Sequence, residues 1–459
     1  MTSLLYLLAV LCLVGLSTRS MARVPFEDGD RWTMVGDSIT HGGEYHTWVY
    51  LYCLTRFPEL ELSVANAGNS GDDAHGALER YDWDIQPKGA TVASVMFGMN
   101  DVRREIYGDV PDTPQVRDQR IYILEGYRSF MNQLVQRLRE DGARLILMTP
   151  TIYDETAQHQ TEVLTGVNGA LGACAAYVTQ LAASTGATLI DFYGPMNEIN
   201  ARMQAVDPAA SLIKRDRVHP NSVGQFVMAY LFLKAVDAPG LVSRVHVDVE
   251  QTQFIASDNA SVGDLVAKDA TVSFTVLEQA IPFPVGKAQQ AALEWVPFQN
   301  ELNRQTLRVS GLQPGEYVLT IDGQRVRDFQ AEALSAGVNL ALEVNTPQAK
   351  QAAEVLKLMQ LWHTKALEYR SIPTFEFWNL GHMLQPVSEE AACEYVAAEI
   401  EQLKEFTEGP QLWRRKSLTR YLERKPREAL IAAEMENLIS QARAAAQPQS
   451  HHYQLKRIE

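Results

Sequence analysis

The first half of the chain alternates short apolar runs with longer amphipathic stretches. The apolar runs predict buried strands, and the stretches between them repeat apolar residues at helical spacing. The predicted strands are RWTMV (31–35), LSVA (62–65), TVASVMF (91–97), RLILMT (144–149) and ATLID (187–191). The predicted helices cover about 45–57, 120–140 and 166–185, and one more follows Pro220. This alternation predicts an α/β fold with a doubly wound, mostly parallel sheet, whose ligands bind beyond the carboxyl ends of the strands.

The pattern changes after the segment DAPG, near residue 237. Alternating runs follow, such as TVSFTV (271–276) and YVLTIDG (317–323), and the second ends in an Asp-Gly turn signal. Long amphipathic helical patterns then dominate, and the tail after 447 is predicted to fray. We therefore predict an α/β domain over 23–237, a small β-rich accessory domain over 238–346 and a helical C-terminal region over 347–459.

The N-terminus carries an apolar run, LLYLLAVLCLVGL (4–16), followed by STRSMA. Ser20 and Ala22 are small residues at positions −3 and −1 of a cleavage point, which predicts a signal peptide over 1–22 and a secreted or periplasmic protein. The run is shorter than the about 20 residues that span a bilayer, so no stable membrane insertion is expected after cleavage. Retention as an anchor is the alternative.

Composition narrows the classes of partner. The 46% hydrophobic content predicts a globular core, and the net charge of −15 disfavours nucleic acids and anionic membranes, which need a basic face. One segment departs from this trend, since RRKSLTRYLERKPR (414–427) has seven basic residues and one acidic residue. It is compatible with binding to an acidic polymer, or with a solvated helix face that pairs with the acidic groups of the protein.

Residues that can carry chemistry follow the predicted strands in four blocks. Ser38 stands in VGDSIT, Gly68 in NAGNSGD, Asn100 in GMND, and Asp216 and His219 in DRVHP. A serine needs a base, and an aspartate three residues before a histidine can orient its imidazole within one turn. Glycine amides and an asparagine amide can stabilise an oxyanion. Taken singly, the same residues also fit a helix cap, a glycine turn and an Asx turn.

In this combination and order, the four blocks resemble the SGNH hydrolases, also called the GDSL esterase family, over about residues 31–235. The sequence reads GDSI where the commonest wording is GDSL. The resemblance implies a flavodoxin-like α/β fold and a serine hydrolase that cleaves esters through an acyl-enzyme. The G-x-S-x-G elbow of the α/β-hydrolases is absent around Ser38, so that other fold is not expected.

The resemblance also implies a role for each block. Ser38 would be the nucleophile, His219 the general base and Asp216 the residue that orients the histidine. Gly68 and Asn100, with the backbone amide of Ser38, would form the oxyanion hole. Elementary chemistry agrees, because a base must take the serine proton and amide donors must meet the oxyanion.

The substrate is less defined by the sequence. Secreted members of the family often act on acylated carbohydrates. Export and a β-rich domain therefore favour deacetylation of a carbohydrate. Tyr107 and Tyr153, on loops that follow strands, are the candidate substrate-binding residues. The alternatives are a lipid or lysophospholipid esterase or thioesterase, and a non-catalytic carbohydrate-binding or assembly protein on the same scaffold. No ligand spacing for a metal appears around His41 and His46, so neither a metal nor another cofactor is expected.

Overall fold

The computed structural model describes residues 25–268, 270–383 and 385–458. The predicted signal segment over 1–22 lies outside the described residues.

Five parallel strands form the first sheet in the order β2-β1-β3-β4-β5, and all five were predicted. They are β1 (Arg31–Gly36), β2 (Ser63–Gly68), β3 (Val92–Met96), β4 (Arg144–Met148) and β5 (Thr188–Ile190). Their side chains are mostly buried because helices cover both faces of such a sheet. Gly36 pairs with Gly68 on one side and with Met96 on the other, so the carboxyl ends of three strands lie level.

Seven helices accompany this sheet in the described part of the chain. They are α1 (Ser38–Gly42), α2 (Glu44–Arg56), α3 (Ala74–Glu79), α4 (Pro114–Glu140), α5 (Val167–Thr185), α6 (Tyr193–Val206) and α7 (Ser222–Ala235). Side chains cap several of them, since Asp37 accepts from the amide of Ile39 at α1 and Asn221 accepts from two amides at α7. The resulting α/β fold is the predicted doubly wound one.

Two further sheets follow the segment DAPG. Their strands along the chain are β6 (Leu241–Asp248), β7 (Gln253–Asp258), β8 (Ala260–Lys268), β9 (Thr271–Glu278), β10 (Arg304–Ser310), β11 (Glu316–Ile321), β12 (Gln324–Gln330), β13 (Val338–Asn339) and β14 (Ser450–Arg457). One sheet has the order β13-β10-β6-β7 and the other β12-β11-β14-β9-β8, and the two share one apolar core. Two short helices, α8 (Phe298–Leu302) and α9 (Ala331–Ala336), connect strands.

The last strand corrects the sequence prediction of a frayed tail. β14 lies between β11 and β9 and pairs antiparallel with both, so the end of the chain is a central strand of the five-stranded sheet. Tyr453 and Leu455 are buried, whereas His452 and Lys456 are exposed. Residues 450–457 therefore belong to the β-rich part rather than to the helical region.

We expect Leu455→Ala to lower the free energy of unfolding by about 2–5 kcal/mol, because it opens a cavity in the shared core of the two sheets. Lys456→Ala is the matched control on the solvent side of the same strand and should change stability by less than about 0.5 kcal/mol. Urea unfolding followed by circular dichroism measures both variants. Equal stability of the two would contradict a central position for β14.

Four helices build the C-terminal region, namely α10 (Pro347–Leu380), α11 (Glu389–Gln402), α12 (Gly409–Arg424) and α13 (Glu428–Ala446). Thr346 caps α10 and Pro347 occupies its first position, which fixes where this long helix begins. α10 packs along α13 and also contacts α2, next to the strand ends of the first sheet. Across the described residues, no helix is both long enough and apolar enough to cross a membrane.

Candidate active site

Ser38 begins α1 directly after β1. Asp37 caps this helix by accepting from the amide of Ile39 at 2.8 Å, which holds the turn between strand and helix. The first N–H of a helix has no acceptor within the helix, and the described residues provide no other acceptor for the amide of Ser38. The backbone amide of Ser38 is therefore open to a ligand at the carboxyl edge of the sheet.

The structure brings Ser38, His219 and Asp216 into one hydrogen-bonded chain. Ser38 Oγ lies 2.8 Å from His219 Nε2, and His219 Nδ1 lies 2.8 Å from Asp216 Oδ2. The amides of Val218 and His219 donate to the other carboxylate oxygen, each at 3.0 Å. Burial by itself raises the pKa of Asp216, but these amides and the imidazole outweigh it and leave the pKa below its usual range. The carboxylate is thus held ionised against the histidine.

Arg217 holds the turn that carries this pair, and the sequence analysis did not identify it. The residue has a left-handed backbone with φ 65°, and its side chain is only 1% exposed. Its guanidinium donates to the backbone carbonyls of Asp154, Ala157 and Thr161. Neighbouring side chains of a turn point in different directions. Because the side chain of Arg217 points into the protein, the side chains of Asp216 and His219 point toward the edge of the sheet.

The backbone amide of Gly68, which was predicted to form part of the oxyanion hole, already has a hydrogen-bond acceptor within the protein. This amide donates to Asn66 Oδ1 at 2.8 Å, so it is not free for a substrate oxygen. Glycine is required here for another reason, because a Cβ would lie 2.3 Å from the amide nitrogen of His41. Gly71, in the same NAGNSGD block, has φ +85° and an amide without a protein acceptor in the described part of the chain. Gly71 is therefore the better candidate donor.

Asn100 lies after β3 with its side chain fixed at both ends. Its Nδ2 donates to the carbonyl of Asp72 at 2.7 Å, and its Oδ1 accepts from Arg104 at 3.1 Å. A primary amide has two N–H groups, so the second remains available to a ligand. The bond to Asp72 also ties the loop after β3 to the loop that carries Gly71.

Asp101 forms hydrogen bonds that join the loop after β3 to the loop that carries Gly71. It accepts from the amide of Gly98 at 2.8 Å and from the amide of Ala74 at 2.9 Å. Burial raises its pKa to about 8. Asp101 therefore holds the two loops together, a role that the block GMND did not indicate.

A second serine and histidine lie close to the first pair. Ser70 Oγ is 3.0 Å from His41 Nδ1, and the amide of Ser70 approaches the same nitrogen at 3.3 Å. Burial, with the nearby Arg370 and Arg80, lowers the pKa of His41 to about 4, so this imidazole is neutral at pH 7. No carboxylate bonds to His41 among the described residues, whereas His219 has one. Ser38 therefore has the more complete set of partners.

Tyr107 and Tyr153 are core residues, which corrects their prediction as substrate contacts. Their exposed fractions are 6% and 3%, and both belong to the main apolar cluster. The guanidinium of Arg120 lies 4.5 Å from the ring centre of Tyr107, and the hydroxyl of Tyr153 accepts from the amide of Leu164. Both rings therefore lie in the core and pack against the loops at the carboxyl edge of the first sheet.

A buried ion network connects the C-terminal helix α10 to the loop after β2. Arg370 donates to the carbonyl of Gly68 and to both oxygens of Asp84 at 2.6–2.7 Å. Arg80 bridges Asp84 and Asp72, each at 2.7 Å. The loop that carries Gly71 is thus held at both ends, by Gly68 and by Asp72.

The described residues contain no group of three or more histidine, cysteine, aspartate or glutamate side chains arranged to hold a metal ion.

The first sheet carries a serine, a histidine and an aspartate at its carboxyl edge, which is the arrangement expected from the resemblance to the SGNH hydrolases. Residues 34–225 match the model of the GDSL-like Lipase/Acylhydrolase family, which gives this chain a GDSL-like (SGNH) domain and supports an ester hydrolase. The resemblance stated from the four sequence blocks is confirmed.

Two relatives extend the comparison. An acetylxylan esterase of Geobacillus stearothermophilus is 26% identical over 231 residues, which are 47% of this chain and 98% of that protein. The solved structure of a gut microbial diltiazem-metabolizing enzyme is 29% identical, with a TM-score of 0.86 over 95% of this chain and 100% of that one. The second relative therefore shares the β-rich and helical parts as well as the first sheet.

Proposed function

We propose that this protein is a serine esterase that removes acetyl groups from a carbohydrate through an acyl-enzyme. The observation that carries the proposal is the unbroken hydrogen-bonded chain from Ser38 through His219 to Asp216. The similarity to an acetylxylan esterase supports acetyl as the acyl group and a sugar as the alcohol. We also propose export of the mature chain, for which the apolar run at 4–16 is the support.

The proposed reaction begins at Ser38. His219 Nε2 takes the hydroxyl proton as Ser38 Oγ attacks the acetyl carbonyl, and Asp216 stabilises the imidazolium that forms. The tetrahedral oxyanion accepts hydrogen bonds from the amides of Ser38 and Gly71 and from Asn100 Nδ2. His219 then gives its proton to the leaving sugar hydroxyl, and the acetyl group stays on Ser38.

Water completes the cycle by the same steps in the deacylation half. His219 takes a proton from water, the resulting hydroxide attacks the acetyl carbonyl, and the second oxyanion meets the same three donors. Collapse of this intermediate releases acetate and returns the proton to Ser38 Oγ. Every proton transfer in the cycle uses His219 Nε2, which lies 2.8 Å from Ser38 Oγ before substrate binds.

The test is acetate release from acetylated xylooligosaccharides, measured beside a series of p-nitrophenyl esters from acetate to octanoate. Diltiazem, which carries an O-acetyl group, belongs in the same series. We expect turnover of the acetyl substrates to exceed that of the octanoate ester. Faster hydrolysis of octanoate would favour a lipid esterase, and a protein inactive on every ester would favour the carbohydrate-binding alternative.

Asn100→Ala is expected to lower kcat for p-nitrophenyl acetate about 10²- to 10³-fold with a smaller effect on KM, because it removes a donor to the oxyanion together with the bond that ties the two loops at Asp72. Asn66→Ala is the informative comparison. It removes the acceptor of the Gly68 amide and leaves Asn100 in place, so it should cost less than Asn100→Ala. A larger loss of kcat in Asn66→Ala than in Asn100→Ala would indicate that the oxyanion donors lie in the region of Gly68.

A further inference from the structure

A cavity of about 260 Å³ lies beside the helix that begins with Ser38. His41 of α1 lines it, and three residues of helix separate His41 from Ser38 by about 4.5 Å along the axis. The other walls come from α10 and α12 of the C-terminal region. The volume lies just below the range of about 300–1,000 Å³ for pockets that hold drug-sized ligands, which suits a single sugar residue.

Trp378 forms an aromatic wall of this cavity. Its indole is 54% exposed, and its Nε1 donates to the carbonyl of Ser70 at 3.0 Å. The ring also approaches the Cα side of Gly71, since a Cβ built there would lie 3.5 Å from it. A fixed, exposed indole beside the proposed oxyanion loop offers an apolar face against which a sugar ring can pack.

Arg420 and Arg424 form the basic side of the cavity. They stand four residues apart on α12, so they lie on one face of that helix. Arg420 donates to the backbone carbonyl of Lys416 and Arg424 to the hydroxyl of Ser371. Neither has a carboxylate within ion-pair distance in the described part of the chain, although the protein carries a net charge of −15.

Three other basic residues of the run 414–427 pair with glutamates, namely Arg414, Lys425 and Arg427. Arg415 and Lys416 have no ion pair among the described residues either, but they do not line the cavity. Arg420 and Arg424 are thus the two basic residues of the run that line the cavity, and no carboxylate neutralises them there.

We propose that this cavity is a subsite for a negatively charged sugar residue, such as a uronic acid, beside the residue that carries the acetyl group. The inference rests on the proposed function and adds the charge of the substrate to it. Arg420 and Arg424 bind the carboxylate, since a guanidinium matches a carboxylate in a two-pronged geometry, and Trp378 supports the ring. The substrate is then an acetylated acidic oligosaccharide.

The test compares two acetylated xylooligosaccharides that differ only in a glucuronic acid branch. The wild-type protein should show a kcat/KM about 10- to 100-fold higher on the branched substrate, the gain expected from charge-assisted hydrogen bonds. Arg420→Met and Arg424→Met should each lower the ratio of acidic to neutral substrate by about tenfold. Arg414→Met, which removes an equal charge from the same helix outside the cavity, should leave the ratio unchanged.

A binding measurement separates this inference from the proposed function. Calorimetric titration of Ser38→Ala with the two deacetylated oligosaccharides reports the subsite without hydrolysis. Tighter binding of the acidic oligosaccharide, lost in Arg420→Met, would support the subsite even if no acetyl ester were cleaved. Equal binding of both, together with equal hydrolysis, would overturn it while leaving an esterase of neutral substrates intact.

Discussion

Alanine at Ser38 or at His219 is expected to lower kcat/KM for p-nitrophenyl acetate by about 10⁴-fold or more. Ser38→Ala removes the oxygen that we propose to hold the acetyl group, and His219→Ala removes the base that we propose to take the serine proton. The hydrogen bond of 2.8 Å between the two side chains makes them act as one unit. The double variant should therefore be no less active than either single variant.

Ser70→Ala is the matched control, because Ser70 also contacts a histidine within the same edge of the sheet. We expect it to keep most of the activity. A phosphonate ester that labels active serines should modify the wild-type protein and Ser70→Ala at Ser38, and it should fail to label Ser38→Ala. Labelling at Ser70, or unchanged hydrolysis in Ser38→Ala, would contradict the assignment of the nucleophile.

Asp216 is expected to keep one protonation state over the pH range of the activity assay. Burial, which by itself raises the pKa of Asp216, is outweighed by the two amides and the imidazole, so its pKa stays below the usual range. Asp216 is therefore ionised throughout pH 5 to 9. A carboxylate that stays ionised over this range keeps its hydrogen bond to His219 Nδ1, so we expect Asp216 not to limit activity between pH 5 and 9.

Local sequence accounts for the first sheet and for the three proposed catalytic side chains. Three strands of that sheet, β1, β3 and β4, are apolar runs buried on both faces, which is why they stand out without any alignment. β14 does not stand out in this way, because SHHYQLKR contributes only alternate residues to the core. Its burial also depends on β9 and β11, which are far away in the chain. α6 was also not predicted, since its Gly-Pro start is typical of a turn.

The remaining errors of the sequence predictions concern where a side chain or an amide points in the folded protein, rather than which residues lie near the site. Gly68 and Gly71 stand in one block, and only the folded loop decides that the first amide meets Asn66 while the second is free. Tyr107 and Tyr153 follow strands as substrate-binding residues often do, but packing against distant segments buries them. Arg370 lies 302 residues after Gly68, so no local pattern connects it with the site.

Arg370→Met is expected to lower the free energy of unfolding by about 3–5 kcal/mol, because it leaves a buried carboxylate without one of its partners. The side chains of Arg370 and Asp84 are 1% and 2% exposed and are joined by two hydrogen bonds. Met fills a similar volume without charge, so the loss reports the ion pair rather than a cavity. Urea unfolding at pH 7 measures it.

Arg427→Met is the matched control from the same region. Arg427 is 48% exposed and approaches Glu368 and Glu434 only at 3.9 and 4.0 Å. Its substitution removes the same charge and should change stability by less than about 1 kcal/mol. If both variants lost equal stability, net charge and not the buried network would be responsible.

The double variant Arg370→Met with Asp84→Asn tests the physical cause. Asp84 still pairs with Arg80 and Lys88 in Arg370→Met, so adding Asp84→Asn takes a partner from both of these cations and should lower the stability further if the whole buried network is responsible. The kcat/KM of Arg370→Met should also fall, by up to about 10²-fold, since Arg370 anchors the carbonyl of Gly68 in the loop of the proposed oxyanion donors. Arg427→Met should not share this loss.

The pH dependence of the same stability follows from Asp84. Burial alone would raise its pKa, but Arg370, Lys88 and Arg80 hold it well below its usual range. A folded-state pKa below the unfolded value of about 3.9 stabilises the fold fully above that value, and this contribution is lost as the pH falls further. The difference between wild type and Arg370→Met should therefore stay constant from pH 7 to 5 and narrow in more acidic solution, where the wild type loses the stability that the low pKa of Asp84 provides.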